Sequence, residues 1–187
     1  MKDYAVVIVE NREEINTRQV LRRHKLFLPV EWEMRWYSIP EIKDAASYNR
    51  FMTDPNFWND LRKYDRVLIC QHDSGLLRKG VEEFLQWSYV GAPWPIAAPW
   101  NPGQGGNGGL SLRNPKASKE FCERQPYHPK YGNEDVYFSR FLANVAPRHV
   151  CVQFACETEY MLGTFGYHAI NKYLSAEQCD RILKQYQ

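Results

Sequence analysis

Two short runs constrain this chain more than anything else in it. Tyr4 to Val9 (YAVVIV) and Arg66 to Cys70 (RVLIC) are apolar on nearly every residue and rich in Val, Ile and Leu. A run of five or six such residues buries both of its faces, as a strand does inside a sheet covered by helices on each side. Each run stops at a polar cluster, Glu10-Asn11-Arg12 after the first and Gln71-His72-Asp73-Ser74-Gly75 after the second. Between them lie a charged helix-like segment from Arg12 to Lys25, an alternating strand-like segment from Glu31 to Ile39 closed by Pro40, and a helical stretch from Ala45 to Tyr64. Asp54-Pro55 divides that stretch in two, because proline ends one helix and suits the first position of the next. Strand, helix, strand, helix, strand predicts a three-layer α/β domain with right-handed crossovers.

The second half has a different texture. Val81 to Trp87 reads as a short helix, and Tyr89 to Trp94 (YVGAPW) opens an irregular region. Asn101 to Gly109 holds five of the 11 glycines, and a strand follows at Leu110 to Arg113. Lys116 to Arg124 and Glu134 to Asn144 read as helices, and a last helix opens at Ser175, where Ser175 and Gln178 form a capping box. No repeat, low-complexity linker or composition break divides the chain, so residues 1–187 are read as one domain. A chain of this size buries about 70% of its unfolded surface. Its 44% hydrophobic and 25% charged residues exclude wholesale disorder. Lys and Arg number 24 against 22 Asp and Glu, a balance that argues against a duplex-binding protein. Arg18, Arg22, Arg23 and Lys25 fall on one helix and read as a solvated face, or as an interface for anionic lipid or a partner. No apolar run is long enough to span a membrane, and the start (MKDYAVVIVE) lacks the layout of a signal peptide. The five cysteines form no C-x-x-C pair, which excludes zinc spacing and points to a reducing compartment, hence a cytoplasmic protein.

Chemistry is expected at the carboxyl ends of the strands and on the loops beyond them. Asp73 follows the second buried run, where a carboxylate can hold a divalent cation through hard oxygen ligands; the same residue can simply cap the turn. Glu134-Asp135 opens a helix, a position that the macrodipole favours for acids and that also presents one of them to a cleft as a base. His168, after Gly166-Tyr167, is a candidate metal ligand or a structural imidazole. Gly103 to Gly109 is not a phosphate-binding P-loop, since no Gly-Lys-Ser/Thr follows it, and it precedes a strand rather than opening a helix. It reads as backbone passing under a bulky polar ligand, or as a flexible surface loop.

The series Ile69-Cys70-Gln71-His72-Asp73-Ser74, Tyr89-Val90-Gly91-Ala92-Pro93-Trp94, Gly106-Asn107-Gly108-Gly109-Leu110-Ser111-Leu112-Arg113 and Asn133-Glu134-Asp135-Val136-Tyr137-Phe138 runs in that order, followed by Phe154-Ala155-Cys156-Glu157 and Gly166-Tyr167-His168. Over about residues 4 to 173 this resembles a family of glycosyltransferases catalogued as a domain of unknown function and found largely in bacteria and large viruses. The resemblance implies a compact relative of the GT-A fold: α/β, three-layer and Rossmann-like, with a mixed, mostly parallel sheet. It implies a nucleotide-binding half over about 1–75, a sugar and acceptor half over about 76–174, and a C-terminal helix over 175–187.

What the resemblance implies about sites is equally specific. Gln71-His72-Asp73 stands where GT-A enzymes carry the Asp-x-Asp that holds manganese or magnesium on the donor diphosphate. Asp73 and His168 would then be the metal ligands, with Gln71 a neutral replacement for the first Asp that weakens metal affinity or makes the metal dispensable. Asp135, or Glu134, would take the proton of the acceptor hydroxyl. Glu10, Asn11 and Arg12 would meet the base or ribose, Asn107, Gly108 and Gly109 would line the donor sugar, and Trp94 would offer a stacking platform. The reading implied is transfer of a sugar from a nucleotide-sugar, UDP-linked first, to a hydroxyl acceptor in glycan or surface-polysaccharide synthesis, with acceptor contacts from a partner domain or oligomer. The alternative is a non-catalytic nucleotide- or glycan-binding module on the same fold, which Gln71 favours and the retained Glu134-Asp135 and His168 oppose.

Overall fold

A computed structural model describes residues 3–11 and 14–184. The first buried run is strand β1 (Tyr4–Val9), followed by α1 (Glu14–Lys25), β2 (Glu33–Tyr37), α2 (Ala45–Met52), α3 (Pro55–Asp60) and β3 (Arg66–Cys70). Asp54 caps α3 by accepting from Asn56 N–H, with Pro55 at its first position, so the expected break falls where proline and cap chemistry place it. β1 pairs in parallel with both β2 and β3, bringing Val7 opposite Arg35 on one side and Ile69 on the other.

Successive residues of β1 point to opposite faces, and both faces are covered. Val6 and Ile8 pack with Val20 and Leu21 of α1 and with Phe84, Phe154 and Phe165. Ala5, Val7 and Val9 pack with Phe57 and Trp58 of α3 and with Phe121 and Phe138. Most of the chain's aromatic rings lie in these two layers, commonly edge to face, as with Trp58 and Phe138 at 5.8 Å and 81°. The aromatic richness therefore builds core.

Two expectations need correction. Tyr89 to Ala92 is not irregular: it forms β5 (Tyr89–Ala92), all four residues buried, after β4 (Ser74–Leu76). Gly91 and the following prolines mask a strand that burial stabilises. The sheet is also not mostly parallel. Its order is β2-β1-β3-β6-β5, where β6 (Asn107–Arg113) pairs antiparallel with β3 and β5 pairs antiparallel with β6. The reason is the route of the chain: β5 returns through the glycine-rich loop straight into β6 as a wide hairpin, with no crossover helix between them. β6 also starts three residues earlier than expected, so Gly108 and Gly109 are strand residues.

Beyond β6 come α4 (Pro115–Arg124), α5 (Glu134–Phe141), α6 (Arg148–Phe154), β7 (Ala155–Cys156), β8 (Gly166–His168), α7 (Ile170–Tyr173) and α8 (Ala176–Lys184). The predicted capping box of α8 is present: Gln178 N–H donates to Ser175 Oγ and Ser175 N–H to Gln178 Oε1. A second sheet, β4-β8-β7, was not legible in the sequence because its strands are two or three residues long. It matters for the site, since it sets Ser74 opposite His168.

Candidate functional site

A cleft of about 600 Å³ opens at the carboxyl ends of β1 and β3. Glu10 and Asn11 line it after β1, Gln71 and His72 after β3, Asn107 to Gly109 at the start of β6, Asn133 to Asp135 at the start of α5, and His168 with Lys172 beyond β8. Chain segments far apart in sequence thus bring most of the expected site residues into one place or onto its edge.

Gly108 and Gly109 pass through the middle, and their lack of a side chain is required. A Cβ on Gly109 would run into the His168 ring, and one on Gly108 into the Glu134 carboxylate and the Arg113 guanidinium. Asn107 Oδ1 accepts from Gly109 N–H at 2.8 Å and fixes this bend.

On one side of the glycines stands Asp73. Its Oδ1 is buried without a well-formed hydrogen bond and lies 3.2 Å from His168 Nε2, while Oδ2 accepts from Lys172 Nζ at 2.6 Å. Gln71 Oε1 stands 3.1 Å from the same His168 nitrogen, and Glu157 Oε1 lies 3.0 Å from Nδ1. Burial works against the Asp73 charge, but the bonds from His168 and Lys172 outweigh it and hold this carboxyl well below the usual range. His168 is likewise opposed by burial, yet Asp73 and Glu157 raise its pKa to about 9. Ala169, with φ of 48°, turns the chain so that its N–H donates to the Asp73 carbonyl while Lys172 reaches the carboxylate.

On the other side stands Asp135. Its Oδ2 accepts from Gly108 N–H at 3.2 Å and its Oδ1 from Val136 N–H at 2.8 Å. Burial first, and the neighbouring Glu134 charge second, raise its pKa to about 7, so it exchanges a proton near neutrality. Glu134 is not a second candidate base, contrary to expectation. Both of its oxygens are held by Arg113, at 2.6 and 3.0 Å, and the pair is sealed from solvent. Arg113 is packed against Tyr89 at 4.7 Å and Phe138 at 5.2 Å, so this ion pair belongs to the core beneath the cleft.

Glu10 lies on the cleft wall, 3.4 Å from His72 Nδ1. Trp94 is elsewhere: it is buried, lines a small separate cavity with Arg148 and Cys151, and cannot stack on a ligand in the main cleft. Arg12 lies outside the described residues. Sequence reasoning missed Lys172 and Tyr48, whereas Asn11, expected beside Glu10, does line the cleft. Lys172 carries a weak signal in its spacing of four from His168. Asn11 ties the wall together, accepting from Ile39 N–H at 2.6 Å and donating to Ile42 O at 2.8 Å. The Tyr48 hydroxyl is buried at the cleft without a hydrogen-bond partner. His24, which carried no functional expectation, is fully buried and bonds Val20 O and Ser74 Oγ, and burial lowers its pKa to about 4.

Among the described residues no three His, Cys, Asp or Glu side chains converge as a metal site. The donors on offer are Asp73 Oδ1, His168 Nε2 and the Gln71 amide oxygen, one of them an orphaned buried oxygen. One carboxylate, one amide oxygen and an imidazole that has given up its Nε2 proton suit a manganese-like cation that completes its shell with substrate oxygens, and do not suit a closed protein cage. No helix among the described residues is long and apolar enough to cross a membrane.

Residues 31–168 match the sequence profile of a family described as "Protein of unknown function (DUF5672)". No curated protein matches this sequence. Among solved structures, the chain is similar to a glycosyltransferase involved in the glycosylation of the major capsid of PBCV-1, with a TM-score of 0.59 at 12% identity over 96% of this chain and 98% of that one. It is also similar to the glycosyltransferase GlyE of Streptococcus pneumoniae TIGR4, with a TM-score of 0.47 at 12% identity over 78% of this chain and 45% of that one. At these identities the first likeness shows the fold: a mixed α/β architecture around a central mixed sheet, similar to that glycosyltransferase structure.

Proposed function

The chain belongs to the DUF5672 family, and from that premise we propose that it is a glycosyltransferase that moves a sugar from a nucleotide-sugar to a hydroxyl acceptor. One observation carries the reading. Asp135, whose pKa burial raises to about 7, shares a cleft with the ion-paired cluster of Asp73, His168 and Lys172, across a two-glycine floor. Transfer to a hydroxyl needs both: a base for the attacking oxygen and positive charge for the departing diphosphate. The fold shared with the PBCV-1 enzyme supports the same reading.

In this proposal the acceptor hydroxyl approaches Asp135 and gives up its proton as its oxygen bonds to the anomeric carbon. The bond from that carbon to the diphosphate oxygen breaks on the opposite face, and the diphosphate leaves with the electron pair. Lys172 faces the leaving group and offsets its new charge. Gly108 and Gly109 let the sugar lie against backbone, and Glu10 and Asn11 border the nucleoside end. A divalent cation would be held by Asp73, His168 and Gln71, and when bound it would supply further positive charge on the diphosphate. A direct displacement of this kind inverts the anomeric centre.

The test is a thermal-shift panel of UDP, GDP, CDP, dTDP and CMP, with and without Mn2+, followed by donor turnover for the base that binds. A shift for one diphosphate is expected, growing with ligand concentration as mass action requires, together with release of the nucleotide from its sugar. Saturable binding without turnover would identify a non-catalytic module, and no shift with any nucleotide would defeat the donor-site reading.

A further inference from the structure

We infer that Glu157 is the positioning residue of the cation cluster, holding the His168 ring so that Nε2 is the atom presented to Gln71 and Asp73. The inference rests on the donor-site reading above and adds a residue that this reading does not contain. Glu157 follows directly on β7, is 2% exposed, and lies 3.0 Å from His168 Nδ1 through Oε1. Its other oxygen is buried without a hydrogen-bond partner. A buried carboxylate is costly unless it is paired, and an apolar residue of similar size would sit more easily beside Cys156 and the neighbouring Leu77 and Ile170 cluster. What the carboxylate does in return is visible at the ring.

The imidazole is fixed on three sides. Gly109 lies against its Nε2 edge so closely that a Cβ there would collide, Asp73 and Gln71 stand in front of Nε2, and Glu157 stands behind Nδ1. With Nδ1–H donated to Glu157, only Nε2 can serve as a ligand, and its basicity rises. A carboxylate behind a ligating imidazole sets both tautomer and orientation in this way, and its loss commonly weakens metal binding by about 10–100-fold. The geometry also accounts for the small second sheet. β8 pairs with β7 in register Cys156 to Tyr167, so Glu157, just past the end of β7, comes beside His168, the last residue of β8.

The test is Mn2+ binding by the full chain with UDP present, measured by calorimetry and by the electron paramagnetic resonance signal of free Mn2+. Wild type, Glu157→Gln and Asp73→Asn are compared. Glu157→Gln should weaken Mn2+ affinity about 10–100-fold while UDP binding without Mn2+ is unchanged. In the Mg2+-loaded wild type, 15N spectra of the His168 ring should place its one proton on Nδ1, and Glu157→Gln should lose that preference. Should Glu157→Gln not fold, Glu157→Asp keeps the charge, withdraws it by one methylene and should weaken Mn2+ in the same direction. Mn2+ affinity within twofold of wild type in a folded Glu157 variant would overturn the role of Glu157 alone. No Mn2+ binding by wild type would overturn the cation reading and the role of Glu157 with it.

Discussion

Asp73 and Asp135 stand on either side of the same two glycines, and their surroundings drive them in opposite directions. Asp73 meets an imidazole and an ammonium and is held ionised far into acid. Asp135 has no cation of its own. Arg113, the nearest candidate, is fully engaged by Glu134, and burial beside that second acid raises Asp135 to about 7. Two carboxyl groups whose environments separate their titrations are how one cleft assigns a permanent charge and an exchangeable proton to different walls. The comparison also explains the buried Arg113–Glu134 pair. It offsets the Arg113 charge, which still pulls Asp135 down, with an acid beside it whose larger effect pushes it up.

The largest effect expected from breaking this contrast is on turnover. Asp135→Asn removes the base and should lower kcat by about 10²–10⁴-fold, the usual contribution of such a group, with UDP affinity preserved. Loss of nucleotide binding together with turnover would show that Asp135 holds the donor instead. The same variant carries a stability signature. Because the folded pKa of Asp135 lies above its ordinary value of 3.8, the stability tied to its proton is complete below about pH 4 and is lost as pH rises through about 7. Asp135→Asn should therefore gain in Tm relative to wild type between pH 5 and pH 8.

Next in size is Glu134→Gln, which leaves Arg113 buried without its counter-charge. Breaking such a pair costs about 3–5 kcal/mol, and each kcal/mol lowers Tm by about 2–4 °C at this size. It should also move the titration of Asp135 toward acid, since the Glu134 charge is one of the causes that raise it. The pH profile of kcat/KM reads this out. In wild type the rate should fall about tenfold per pH unit below 7, as Asp135 takes up its proton, and in Glu134→Gln the fall should begin at lower pH. A wild-type profile flat from pH 5 to 8 would assign the base elsewhere.

How far this contrast was legible in the sequence depends on the kind of signal each wall carries. β1 and β3 were legible to the residue, because a doubly buried strand is apolar at every position. Asp73 and Asp135 were legible as residues at strand and helix ends. Their opposite states were not, since those depend on which cations come within reach in space. Glu134 and Asp135 look interchangeable in the sequence, and only the fold reveals that Arg113, 21 residues upstream, takes one and leaves the other. Trp94 misled for a related reason: in an aromatic-rich chain, composition does not distinguish a platform from a core ring. β4, β7 and β8 are too short to show any periodicity, so the pairing that brings Glu157 and His168 together had no signal to read.

The smallest effect sharpens the Asp73 side. Lys172 is about half exposed, and exposed pairs are worth about 0–1 kcal/mol, so Lys172→Met should leave Tm nearly unchanged even though it deletes a 2.6 Å contact. If Lys172 faces the diphosphate, however, the same substitution removes a positive charge where the leaving group develops its negative charge. UDP affinity without Mn2+ should then fall by roughly fivefold, about 1 kcal/mol, while UMP, with one phosphate fewer, should lose less. His168 cannot compensate, because Gly109, Gln71 and Glu157 fix its ring where it stands. Equal losses for UDP and UMP would mean that Lys172 serves only to tether Asp73, and the positive charge opposing the diphosphate would then rest on the cluster around His168.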